Sequence, residues 1–182
     1  LAIGTAGQVL KVNSSANGLE YGGSGTYSVH KIQRYQNSSL VAYTGGRTNY
    51  VDIAGGNYLT FNPTSTDDFV VFGLECCTYA HNYSHGTTVY VMYSTNTTIG
   101  SGDTKIMYDG QHATYGELYH YSHCRTIIFP MSGLSVGTNY YFEMAGASHP
   151  NNSNRVDFNY QNTGAQSGQG QHVLYGIHYK KN

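Results

Sequence analysis

From Tyr27 to the C-terminus, the chain is written in short runs of alternating apolar and polar residues, broken by glycine, asparagine and aspartate. Period two marks a half-buried strand, and no segment shows the ~3.6-residue apolar spacing of an amphipathic helix. Val29, Lys31 and Gln33 alternate with His30, Ile32 and Arg34. Residues 40–44, 49–53 and 57–61 are short strand candidates, separated by Gly45-Gly46 and Gly55-Gly56. Residues 69–79 hold Phe69, Val70, Val71, Phe72 and Leu74 and read as a fully buried central strand. Residues 87–95 place Val89, Val91 and Tyr93 on one face and Tyr90 and Met92 on the other. Residues 104–108, 125–129, 138–145, 155–160 and 172–179 complete a set of roughly ten strands at spacings of about 8–15 residues. That pattern predicts an all-β, antiparallel sandwich or barrel. Residues 109–122 carry Tyr, His and Gly without a period, and residues 161–171 read as a Gly/Gln/Ser loop.

Composition agrees and narrows the options. Charged residues are 10% of the chain, against roughly 25% in an average soluble domain. Lys and Glu are scarce, whereas Gly (23) and Tyr (19) are frequent, which favours strands and turns. The 182 residues suit one domain with an appendage. Net charge is -1 and the cations are scattered, so nucleic acid is not an expected partner. No run approaches the ~18 apolar residues of a membrane span, so no membrane insertion is expected. No basic segment followed by an apolar core opens the chain, and it begins with Leu1. A fragment or processed product is the expectation. Cys76, Cys77 and Cys124 are an odd set. Three free thiols are expected, with a bridge from Cys76 or Cys77 to Cys124 as the alternative. Zinc is not expected without a C-x-x-C pair.

Residues 1–26 differ from the rest. Gly4, Gly7, Gly18, Gly22 and Gly23 punctuate them. Leu10 and Val12 alternate with Lys11 and Asn13, Ser14 to Gly18 is turn chemistry, and Leu19 and Tyr21 alternate with Glu20. Such a segment buries too little apolar surface to fold alone. It fits a stalk packed against copies from other chains, with a flexible linker as the alternative. The wording Gly4-Thr-Ala-Gly-Gln-Val-Leu10, then Val12-Asn-Ser14 and Gly18-Leu-Glu-Tyr-Gly22, resembles a segment of bacteriophage tail-fibre and tail-spike proteins. There it precedes a distal domain. The resemblance implies residues 1–26 as stalk or linker and residues 27–182 as head.

A second resemblance lies in residues 134–144. Leu134, Gly137-Thr138, Tyr140 and Phe142 resemble a hairpin of C1q/TNF-like jelly rolls at phage fibre tips, and Val173 to Ile177 resembles their terminal strand. This implies an antiparallel jelly-roll-like sandwich on a short N-terminal stalk, forming a homotrimer. First and last strands would lie side by side, both termini at the base, loops at the far end. An upstream fibre shaft and a virion location outside the host cell follow from the same likeness.

Candidate chemistry is sparse. His81 with His85, and His120 with His123, are spaced for two ligands, but a metal needs more and an orienting shell. No metal and no cofactor is expected; surface or interface histidines bonded to Tyr hydroxyls are. Asp103, Asp109 and Glu117 fall in one region, yet nothing selects the carboxyl pair of a glycosidase. No G-x-S-x-G occurs. His123 and Cys124 are neighbours on a strand, so their side chains diverge and cannot act as base and nucleophile. No catalytic residue is assigned. The Asn-x-Ser/Thr triplets at Asn13, Asn37, Asn82, Asn96 and Asn151 are expected by chance in so Asn/Ser/Thr-rich a chain.

Tyrosine carries the functional expectation. Its flat face stacks on sugar rings, its hydroxyl bonds, and it loses little entropy on ordering. Tyr108, Asp109, His112, Tyr115, Tyr119, His120 and Tyr121, with Tyr83, form the predicted receptor-binding set, placed on loops. Tyr90, Tyr93, Tyr140, Tyr141 and Tyr179 are assigned to packing. The expected function is host attachment, as the receptor-binding adhesin of a phage tail fibre recognising a bacterial surface glycan or protein without catalysis. A depolymerase or esterase tip and a purely structural particle component are the alternatives.

Overall fold

A computed structural model describes residues 8–12, 19–23, 27–37, 39–43, 50–80, 86–98, 100, 102–112, 119–149, 156–159 and 172–182. Among these there are thirteen strands and no helix. Two form a separate hairpin, β1 (Gln8–Val12) and β2 (Leu19–Gly23), whose register sets Leu10 opposite Tyr21 and Val12 opposite Leu19. The others are β3 (Tyr27–Asn37), β4 (Val41–Tyr43), β5 (Val51–Asp52), β6 (Leu59–Phe61), β7 (Phe69–Ala80) and β8 (Gly86–Ser94). The chain continues through β9 (Thr104–His112), β10 (Tyr119–Pro130), β11 (Tyr140–His149), β12 (Val156–Phe158) and β13 (His172–Lys181).

These eleven strands make two antiparallel sheets. The first runs β3, β13, β7, β12, β4, with β10 on the free side of β7; the second runs β5, β11, β8, β9, with β6 also on β11. Short strands lie end to end, because β13 and β12 share one side of β7, and β5 and β6 share one side of β11. Each sheet is thus four rows wide. Taken in chain order, the first row pairs with the last, the second with the seventh, the third with the sixth and the fourth with the fifth. That nesting of one long hairpin rolled into two sheets is the jelly roll. β3 lies against β13 with Tyr27 opposite Lys181, so the first and last strands of the two sheets are neighbours, as expected.

The core is where the two inner faces meet. Val70, Phe72, Leu74 and Cys76 project from β7, Val89 and Val91 from β8, and Phe142 and Met144 from β11, all buried. Phe72 and Phe142 lie 4.8 Å apart between ring centres, and Phe61 touches both at 5.8 Å. Such offset and edge contacts add to the area they bury. At the other end of the core, Phe158 reaches across to the second sheet. A Cβ at Gly146 would stand 2.5 Å from its ring, so only glycine admits this close approach.

Two expectations are corrected. Residues 69–79 do form a central strand, but only one face is buried. Phe69, Val71, Cys77 and Tyr79 are half-buried and Glu75 exposed, because the outer face of the first sheet is itself apolar, which makes a one-sided strand look like a two-sided one. Residues 109–122 are not one long loop: β9 runs on to His112 and β10 begins at Tyr119. Their extent is set by backbone pairing to β8 and β7, which no local period reports.

Candidate functional site

Backbone pairing gathers six of the eight predicted receptor residues at one end of the sandwich. Tyr108, Asp109 and His112 stand on β9, and Tyr119, His120 and Tyr121 on β10, rather than in a loop. Tyr83 and Tyr115 lie outside the described residues, as do His81, His85 and Glu117. Ala80 pairs with both Tyr119 and Val156, and Gly86 with both His112 and His149. Ala80 of β7, Gly86 of β8, His112 of β9, Tyr119 of β10, His149 of β11 and Val156 of β12 are thus the strand ends at this far end. Tyr27 and Lys181 stand at the opposite, terminal end.

Two buried polar clusters lie just beneath the far end, and they hold histidines expected at the surface. His123, on β10, approaches Thr87 at 2.9 Å and Thr78 at 3.2 Å through Nε2, and the two hydroxyls meet at 2.5 Å. Thr78 belongs to the first sheet and Thr87 to the second, so the trio bolts the layers together. In the second cluster Asn159 takes the left-handed backbone, φ 58°, which Asn tolerates better than most residues. Its amide nitrogen donates to Ser39 O at 2.7 Å and Ile53 O at 3.3 Å. Its Oδ1 accepts from His172 Nδ1 and from the Cys76 thiol, 3.9 Å away. Burial pushes His172 down to about 4, so the ring is neutral, and its Nε2 has no partner among the described residues. Burial also pushes the Cys76 thiol far up.

At the terminal end, the Asp68 carboxylate collects donors: Thr64 N at 2.7 Å, Thr64 Oγ1 at 2.9 Å, Ser65 N at 3.2 Å, His178 Nε2 at 3.1 Å and Lys181 N at 3.3 Å. Burial alone would raise this carboxyl, but the bonds from Thr64, Lys181 and His178 outweigh it and hold it below its ordinary value. Burial lowers His178, against the opposing pull of Asp68. Of the three buried histidines, His123 meets two threonines, His172 an asparagine and His178 an aspartate, where Tyr hydroxyls are the sequence expectation. Parity would have found two of them, because His172 and His178 share their alternation with Leu174, whose side chain is in the core.

Both outer faces carry distinctive side chains. On the second sheet, Tyr50 and Tyr90 pack edge to face at 5.0 Å, and Lys105 Nζ sits 4.3 Å from the Tyr50 ring centre. Beside them Glu143 is raised to about 7 by burial, with Asp52 and Asp103 adding repulsion. On the first sheet, Ile32, Ile177, Val71 and Ile128 follow one another in direct register. Cys76, Cys77 and Cys124 are all free, as expected, with Cys76 buried and Cys124 exposed. Buried His123 and exposed Cys124 point apart. Among the described residues no three His, Cys, Asp or Glu side chains converge as metal ligands.

No protein-family model and no curated protein matches the chain. Solved structures that resemble it include those of infectious bursal disease virus. The Gx strain has TM-score 0.40 and 8% identity over 94% of this chain and 44% of that chain. The Gt strain has TM-score 0.41 and 8% identity over 97% and 43%. The VP2 subviral particle has TM-score 0.35 and 9% identity over 96% and 47%. The chain thus spans less than half the length of each of those chains.

Proposed function

We propose that this chain is a noncatalytic attachment domain, the distal receptor-binding part of a bacteriophage tail fibre. It acts as a homotrimer on a bacterial surface glycan or protein, outside the host cell and as part of the virion. The observation that supports this reading most is the polarity of the head. The strand that follows the stalk-like segment and the C-terminal strand start and finish side by side at one end, with Tyr27 opposite Lys181. The Tyr- and His-bearing ends of β9 and β10 stand at the other. A head tethered at its base offers its far end to a surface. The wording of residues 4–22 supplies the tail-fibre context. Binding by several heads at once multiplies weak contacts through effective concentration.

The test uses the purified chain, fluorescently labelled, on a panel of bacterial strains. The expected result is labelling of some strains and protection of those strains from infection. Tyr115→Ala combined with Tyr119→Ala abolishes both effects, and unchanged labelling by that variant refutes the site. A chain that labels no strain refutes attachment in favour of a structural part of the particle. Release of sugar from host polysaccharide, abolished by Asp109→Asn with Glu117→Gln, refutes the noncatalytic part.

A further inference from the structure

The outer face of the second sheet holds a carboxyl that the rest of the sheet leaves unanswered. On β11, Phe142 and Met144 face the core, so Tyr141, Glu143, Ala145 and Ala147 face outward. Glu143 is nevertheless only 4% exposed, closed in by its neighbours at the sheet surface. Its row runs through Met92 on β8 to Lys105 on β9. In the next outward row, Ala145 lies between Asp52 on β5 and Tyr90 on β8. In the row on its other side, Tyr141 lies between Thr60 on β6 and Ser94 on β8.

Two edge-to-face tyrosine pairs therefore flank the carboxyl. Tyr50 and Tyr90 stand 5.0 Å apart on one side, and Tyr58 and Tyr141 stand 5.0 Å apart on the other. The first pair already holds a cation: Lys105 Nζ lies 4.3 Å from the ring centre of Tyr50 and 5.4 Å from that of Tyr90. Among the described residues no cation sits over Tyr58 or Tyr141. The charge balance is one-sided as well. Asp52 is taken up by the amides of Ala54, Gly55 and Gly56 at 2.6, 3.1 and 2.7 Å, and Asp103 by the Gly100 amide at 2.8 Å. Burial disfavours the Glu143 anion and both aspartates repel it, with no donor to it among the described residues. Against these three carboxyls stands the one ammonium of Lys105. A second cation is drawn here twice over. Aromatic faces attract it, and a poorly solvated carboxylate pairs with it more strongly than one in water.

We infer that Glu143, Tyr58 and Tyr141 bind the protonated amine of an amino sugar. The ammonium donates to the Glu143 carboxylate, and the apolar face of the sugar ring lies on tyrosine, a surface suited to it. Tyr58 precedes β6 and is 40% exposed, so its ring can turn aside to admit the ligand without disturbing the core. Pairing with an ammonium favours the charged carboxylate, so Glu143 gives up its proton to solvent on binding. This place is on the side of the sandwich, and the inference does not depend on attachment through the far end.

The experiment titrates the whole purified chain with glucosamine by calorimetry at pH 6.5, in two buffers of different ionisation heat. Binding is expected with a dissociation constant on the order of 1 mM, and its heat differs between the buffers because protons are released. Glucose and N-acetylglucosamine, which lack the ammonium, bind at least about tenfold more weakly. Glu143→Gln loses the binding and the buffer dependence while keeping its thermal melting. Tyr58→Ala, at an exposed position, weakens binding about threefold, and Lys105→Gln, which removes a like charge, tightens it. No binding of glucosamine, equal binding of N-acetylglucosamine, or tighter binding of glucuronate each overturn the inference. Equal binding of butylammonium overturns the sugar part. Full binding by folded Glu143→Gln overturns the site. No cells enter these titrations, so their failure leaves the attachment proposal standing, and strain labelling tests that one separately.

Discussion

Lowering the pH from 7 to 5 acts on two buried groups in opposite directions. His172 titrates near 4 in the folded chain, against an ordinary 6.5. Below pH 6.5 the unfolded chain takes a proton that the folded one refuses, so stability falls with pH. At ~1.4 kcal/mol per pH unit, the span from 6.5 to 5 removes about 2 kcal/mol. Glu143 titrates near 7 in the folded chain, against an ordinary 4.5. Between these values the folded chain holds a proton that the unfolded one has released, so stability rises as pH falls. The full effect from pH 7 to 5 is about 2 kcal/mol, reduced by partial solvent screening, since burial of the carboxyl is incomplete, to roughly 1–2 kcal/mol. The wild type is therefore nearly flat over this range, tilted slightly toward acid loss by His178, whose value is also lowered. Urea unfolding at pH 7, 6 and 5 exposes the cancellation. Glu143→Gln leaves the histidines unopposed and loses about 2 kcal/mol on going to pH 5. His172→Asn, which keeps a donor toward Asn159, gains stability over the same span. If all three proteins respond to pH alike, neither group titrates as its burial requires.

Asp68→Ala strips one acceptor from the Thr64–Ser65 turn, the Lys181 amide and the enclosed His178 ring. Breaking a buried pair in this way costs about 3–5 kcal/mol, and chemical denaturation reads it directly; a loss under ~1 kcal/mol refutes the clasp. A maleimide reagent at neutral pH modifies Cys124 rapidly and leaves Cys76 untouched until the chain unfolds, as mass spectrometry of digested protein will show; equal labelling in the native state contradicts the core placement of Cys76.

How much of this was legible depended on whether the governing interaction was local. Period two marked β3 and β13 to within a few residues, because in each one face packs closer to the core than the other; β8 shows the same alternation although both of its faces are largely buried. β7 misled for the same reason inverted: Phe69 and Val71 lie on an outer face that is apolar, and a one-dimensional string cannot separate that from burial on both sides. β9 and β10 extended past their readable cores because partner strands, remote in sequence, supplied the bonds. The buried histidines were missed since composition treats His as polar, although parity put His172 and His178 in line with Leu174. The nesting of rows into a roll had no local sign at all; it came from the resemblance of residues 134–144 and the last strand. The far-end grouping of Tyr108, Asp109 and His112 with Tyr119, His120 and Tyr121 was anticipated by proximity in sequence, but the pairing of Tyr119 with Ala80 and of His112 with Gly86 is what sets it in the fold.

The side-by-side lay of β3 and β13 has a mechanical side. Force arriving through Tyr27, with the far end held, runs along β3 and is resisted by its register with β13 from Tyr27–Lys181 up to Asn37–His172. Those backbone bonds then share the load in shear, all stretched together, instead of tearing open one after another. A domain pulled through β3 and braced by β13 can be tugged hard without being unravelled.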